Sequence, residues 1–92
     1  MTSMYDPIRD ELRKYKGESV TYTYVKLNEL IKCRSPKKEL PLSAHKRKIW
    51  WDNHESSGHT QMISWTSAGW LVDMKASKLG EYITFIKKST LN

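Results

Sequence analysis

The stretch WLVDMKASKLGEYITFIK, residues 70–87, decides the fold class. Trp70, Val72 and Met74 alternate with Leu71, Asp73 and Lys75, Lys78-Leu79-Gly80-Glu81 has turn composition, and Tyr82 to Lys87 alternates again. Strand side chains point to opposite faces in turn, so alternation on both sides of a glycine-containing turn predicts a C-terminal β-hairpin. Immediately upstream, Gln61, Trp65 and Ala68 recur along one side of a helix over about 60–68 that stops at Gly69. Residues 54–59 read as a polar turn. Before it, Ser43 has the chemistry of an N-cap, opening a helix through about Asn53 that holds Lys46, Arg47, Lys48, Ile49, Trp50 and Trp51. The segment 33–42 contains Pro36 and Pro41, each of which pushes its predecessor out of the helical region, and reads as an irregular connection tacked down by Leu40 and Leu42.

The N-terminal half supplies the remaining elements. Tyr24, Leu27, Leu30 and Ile31 form the inner face of a helix over 24–32, with Thr23 as its cap. Just before it, Val20 and Tyr22 alternate with Thr21 and Thr23 in a short strand over 18–23. The first helix is predicted over 7–16, with Asp6 as N-cap, Pro7 in the first turn, a stripe of Ile8, Leu12 and Tyr15, and Gly17 as a left-handed stop. Residues 89–92 read as a frayed tail, leaving about 5–88 ordered in a single domain spanning 1–92. The order is α-β-α-α-α-β-β, an α+β class. Setting aside the helix near Thr60, it matches a winged helix, in which a first strand pairs with a C-terminal hairpin and the third helix faces DNA.

Composition narrows the function. Ninety-two residues with 16 Lys+Arg against 10 Asp+Glu and 38% apolar positions fit one small basic domain. A chain of this size buries roughly 60–65% of its unfolded surface, which leaves little room for a deep substrate cavity. No long apolar run predicts a membrane span, residues 1–7 lack the features of a signal peptide, and the single Cys33 fits a reducing compartment; the expectation is a cytoplasmic protein. Charge is clustered: seven basic residues (Lys32, Arg34, Lys37, Lys38, Lys46, Arg47, Lys48) against Glu39 give +6 within residues 32–48, and the rest of the chain sums to zero. Such a field attracts phosphates or an acidic protein face.

The chemistry of that segment points to nucleic acid. Lysines 37, 38, 46 and 48 suit phosphates, as does Arg34, and Ser43 at a helix start adds backbone donors. Arg47 and Asn53, with His45, are the residues able to read base edges. Trp50 and Trp51 project about 100° apart on a helix, so one enters the core, and the other either stacks on a base or sugar or covers apolar surface beneath Arg47. Trp65, Trp70, Met62 and Phe85 read as core. The spacing of His54 and His59 suits no closed zinc pattern, and no phosphate loop or nucleophile motif is present, so neither metal, cofactor nor enzymatic activity is expected.

Taken together, Tyr5-Asp6-Pro7-Ile8, Val20-Thr21-Tyr22-Thr23-Tyr24, Leu40-Pro41-Leu42-Ser43-Ala44, Trp50-Trp51-x-Asn53, His59-x-Gln61 and Trp65-x2-Ala68-Gly69-Trp70 resemble a small uncharacterised bacterial and phage domain family, found alone or beside nuclease-like domains. The resemblance covers Tyr5 to about Phe85 and carries over Trp50, Trp51, Asn53, Gln61, Trp65 and Gly69. The lysines around Lys37-Lys38 depart from the family pattern. What it implies is a part in DNA transactions or phage–host conflict. The expectation is therefore a double-stranded-DNA-binding regulator, as a monomer or homodimer, contacting DNA through Arg34, Lys37, Lys38, Ser43, His45, Lys46, Arg47, Lys48, Trp51 and Asn53. The alternative is a protein-binding inhibitor or accessory factor of a nuclease or defence system, using the aromatic surface near Trp51 and the same cations.

Overall fold

Pro7 sits in the first turn of α1, Asp6–Lys14, where its missing N–H costs nothing. Asp6 is inside the helix, and Tyr5 holds the capping position without a side-chain cap bond. The expected Asp6 cap is thus corrected, because its buried carboxylate is drawn to Arg9 (3.4 Å) and Arg34 (3.0 Å) instead. The helix also ends two residues before the sequence-based limit. Tyr15 turns extended (φ −73°, ψ 127°) and sets its ring edge-on to Trp70, at 5.9 Å. Gly17 is not left-handed, since positive φ among the described residues occurs only at Gly69 and Gly80. A Cβ at Gly17 would stand 2.7 Å from the ring of Tyr15, so that partly exposed ring would have to shift to admit a side chain there.

The computed structural model describes residues 4–51 and 60–88. After α1 come β1, Ser19–Thr23; α2, Tyr24–Arg34; α3, Leu42–Lys46; a one-turn 3-10 helix, Lys48–Trp51; α4, Thr60–Ser67; β2, Trp70–Lys78; and β3, Tyr82–Lys87. Thr23 caps α2 as expected, accepting from the Lys26 N–H at 3.1 Å. The strand therefore passes into the helix without a loop, and the Tyr24 N–H is taken up by the Glu81 carbonyl beside the hairpin turn.

The three strands form one antiparallel sheet in the order β1-β3-β2, so the hairpin is joined by the early strand along its β3 edge. Phe85 of the central strand lies opposite both Val20 and Val72. Beyond Asp73 the β2–β3 register shifts, because three extra residues on β2 separate the Asp73–Thr84 pair from the Lys78–Tyr82 pair. Polar side chains absorb the bulge. Thr84 donates its N–H to Ser77 Oγ at 2.8 Å and its hydroxyl to the Ala76 carbonyl at 2.9 Å.

Helices cover the sheet over a core of Ile8, Leu12, Leu27, Ile31, Trp51, Met62, Trp65, Trp70, Ile83 and Phe85. Trp51 and Trp65 stack with centroids 5.6 Å apart, and Trp65 meets Phe85 at 5.9 Å. Large aromatic side chains contribute on the order of 2–3 kcal/mol each when fully buried, which lets a short chain form a core without a disulfide. The result is a small α+β domain. No described helix is long and apolar enough to cross a membrane.

Candidate functional site

The basic segment begins where α2 ends, and two of its seven cations are already engaged. Arg34 reaches back to Asp6 at 3.0 Å, tying the end of α2 to the start of α1, and Lys32 meets Glu39 at 3.7 Å in a solvent-exposed pair. Arg34 is therefore a brace between helices more than a free contact. The connection is then pinned by Leu40, which is buried and donates its N–H to Asn28 Oδ1 at 2.8 Å. Its expected companion Leu42 does not help; it is 68% exposed.

The long helix expected from Ser43 to Asn53 is broken. Pro41 holds the N-cap position of α3, Ser43 lies within the helix, and the last backbone bond runs from the Arg47 N–H to the Ser43 carbonyl. An α-helix would continue with a bond from residue 48 to the carbonyl of Ala44. That carbonyl is instead taken by two side chains: the Tyr24 hydroxyl donates to it at 2.6 Å and the Trp51 indole N–H at 2.9 Å. Arg47 swings to an extended conformation (φ −125°, ψ 118°), and the chain resumes as a 3-10 turn. Burial pushes the Tyr24 phenol up from its ordinary pKa, despite opposing hydrogen bonds from Gly80 and Trp51, so it remains a donor at neutral pH.

This break sorts the expected contact residues. Trp51 is 1% exposed and belongs to the core, which removes it as a surface for bases; half-buried Trp50 faces outward instead, set edgewise against Tyr5 and Trp51. His45 packs its ring on Tyr24 at 4.7 Å, on the side where α3 meets the hairpin turn at Gly80. Ser43 is the second residue of α3 and not its cap. Lys37, Lys38, Lys46, Arg47 and Lys48 are exposed, and none forms an ion pair among the described residues. Asn53, like His54 and His59, lies outside the described residues.

Beside Arg47 the broken helix leaves an open hollow of about 370 Å³, lined among the described residues by Ser43, Arg47, Ile49, Trp50 and Gln61. Ile49 is 71% exposed on its rim, while Gln61 comes from α4 and is buried. Ile49 is the contributor that a reading by charge passed over, and of the two tryptophans it left open, Trp50 is the one at the surface. The signal for Ile49 was an apolar residue directly after a run of three cations. Among the described residues no group of three His, Cys, Asp or Glu side chains is placed to hold a metal ion.

A family model described as a domain of unknown function, DUF7662, matches residues 5–89. The chain belongs to the DUF7662 family. The match takes in every described element from α1 to β3. No curated protein and no solved structure matches the chain.

Proposed function

We propose that this DUF7662 domain is a DNA-binding module of winged-helix-like architecture, a small cytoplasmic regulator that grips the phosphate backbone through residues 37–48. The observation that carries the reading is the set of five exposed cations, Lys37, Lys38, Lys46, Arg47 and Lys48, without ion-pair partners among the described residues. Unpaired lysines and arginines keep their full field for phosphates and gain affinity by releasing condensed counterions. The winged-helix part is supported by the β1-β3-β2 sheet order, with the early strand joined to a C-terminal hairpin.

Anisotropy with labelled duplex DNA at about 50 mM salt tests the proposal. Binding is expected for the natural chain and its loss for a K46A/R47A/K48A variant that melts like the parent. Absence of binding to any duplex at low salt would overturn it.

A protein partner, such as a nuclease or defence protein, is the second reading. Leu42 and Ile49, 68% and 71% exposed beside the cations, favour it. In that case a stoichiometric partner co-purifies, and Ile49→Asp costs more of the complex than any single lysine change.

A further inference from the structure

Among the described residues the sheet has two open edges, and they are built differently. On β2 the register against β3 shifts between Asp73 and Lys78, Asp73 Oδ1 accepts the Lys75 N–H at 3.1 Å, and Lys75 and Lys78 are exposed. Bulges and charges of this kind keep an edge from pairing with another chain. β1 has neither. Its five residues, Ser-Val-Thr-Tyr-Thr, carry no charge and no proline, and they run against β3 in unbroken register.

The direction of the β1 backbone groups follows from the ladder. In an antiparallel pair, residues that bond across the pair alternate with residues whose N–H and C=O point away from it. The Lys87 N–H donates to the Glu18 carbonyl and the Tyr24 N–H to the Glu81 carbonyl, both at 3.0 Å, so the even-numbered residues here face β3. Ser19 and Thr21 therefore turn N–H and C=O to the open edge, and Thr23 turns its N–H there while its carbonyl opens α2. All three residues are exposed. The strand is held in shape from one side and accessible from the other.

A second strand is what such an edge accepts, and the spacing favours one from the same protein. Positions 19, 21 and 23 are symmetric about Thr21, so a second copy turned about a two-fold axis at that residue meets the first in register. Thr21 then exchanges two bonds with its own counterpart, and each Ser19 carbonyl accepts from the Thr23 N–H of the other copy. On the core side Val20, half-buried in one chain, lies opposite the other copy's Tyr22, an aliphatic against an aromatic, and only Ser and Thr meet on the outer side. Two chains of net charge +6 repel one another, and a strand without charge is where they can approach.

We propose that β1 is a homodimer interface, at which two copies join edge to edge, antiparallel about Thr21, into one six-stranded sheet. The proposal does not depend on DNA binding, and either reading can fail without the other.

Sedimentation equilibrium and cross-linking test it. A single strand pair is a small interface, so the natural chain should be monomeric when dilute and should approach twice the chain mass at about 100 µM. Thr21→Pro removes an N–H that serves no bond within the sheet, so a variant with the parent's circular dichroism should remain monomeric at that concentration. Thr21→Cys, in a Cys33→Ser background, should form a disulfide-linked dimer on mild oxidation, because residues paired on such an axis stand about 5.5 Å apart between Cα atoms, within disulfide reach. Lys75→Cys in the same background, exposed on the other edge, should not. A natural chain that stays monomeric at about 100 µM would overturn the proposal. So would a dimer that a folded Thr21→Pro variant still forms, or one that cross-links through Lys75→Cys as readily as through Thr21→Cys.

Discussion

The Ala44 carbonyl, with Tyr24 and Trp51 both donating to it, shows how one acceptor shapes a surface eight residues long. Withdrawn from the helical ladder, it sends Arg47 extended and turns Ile49 outward, while Trp51 goes inward. Tyr24→Phe deletes one of the two donors and leaves the other, so it should cost about 1 kcal/mol in urea unfolding. An unchanged midpoint would mean the hydroxyl bond is not what withholds that carbonyl. Residue-level reading succeeded where the partner is near in the chain, as with Thr23 and the Lys26 N–H. It failed for Asp6, whose chemistry suits a cap equally well but whose partner Arg34 lies on another helix.

At the scale of elements, α2 and the hairpin were legible because periodicity reports a buried face, and those faces are indeed buried at Leu27, Leu30, Ile31, Trp70, Val72 and Phe85. The break after α3 was not, since local propensity favours helix through Trp51 and one of the two opposing bonds comes from a tyrosine twenty residues upstream. The β2 bulge was hidden for a similar reason: it depends on Thr84 and Ser77 meeting across the sheet. Tyrosines at the junctions of these elements give stability a pH dependence. Burial, with smaller contributions from Glu11 and Tyr15, pushes Tyr22 up to about 12, and burial raises Tyr5 and Tyr24 as well. The unfolded phenols lose their protons near pH 10 while the folded ones keep them, so the unfolded state binds fewer protons and stability falls as pH rises. Thermal melts should hold steady below about pH 9 and decline progressively between about pH 10 and 12. A flat profile across that window would contradict the packing described for these rings.

Among the described residues, the positive charge read from the sequence divides into cations that are ion-paired and cations that are not. Arg34 and Lys32 hold helix and loop together, and five cations face solvent on the segment between α2 and the 3-10 turn. Charge clustering was legible from the sequence; which cations pair with Asp6 and Glu39 among the described residues was not, because that depends on where those acids fold. The most direct test of a phosphate-gripping surface is the slope of log affinity for duplex DNA against log salt concentration. Five contacts predict a slope of roughly −4 to −5 for the natural chain, falling to roughly −2 in K46A/R47A/K48A. A slope near zero, or one that the triple change leaves untouched, would contradict the account.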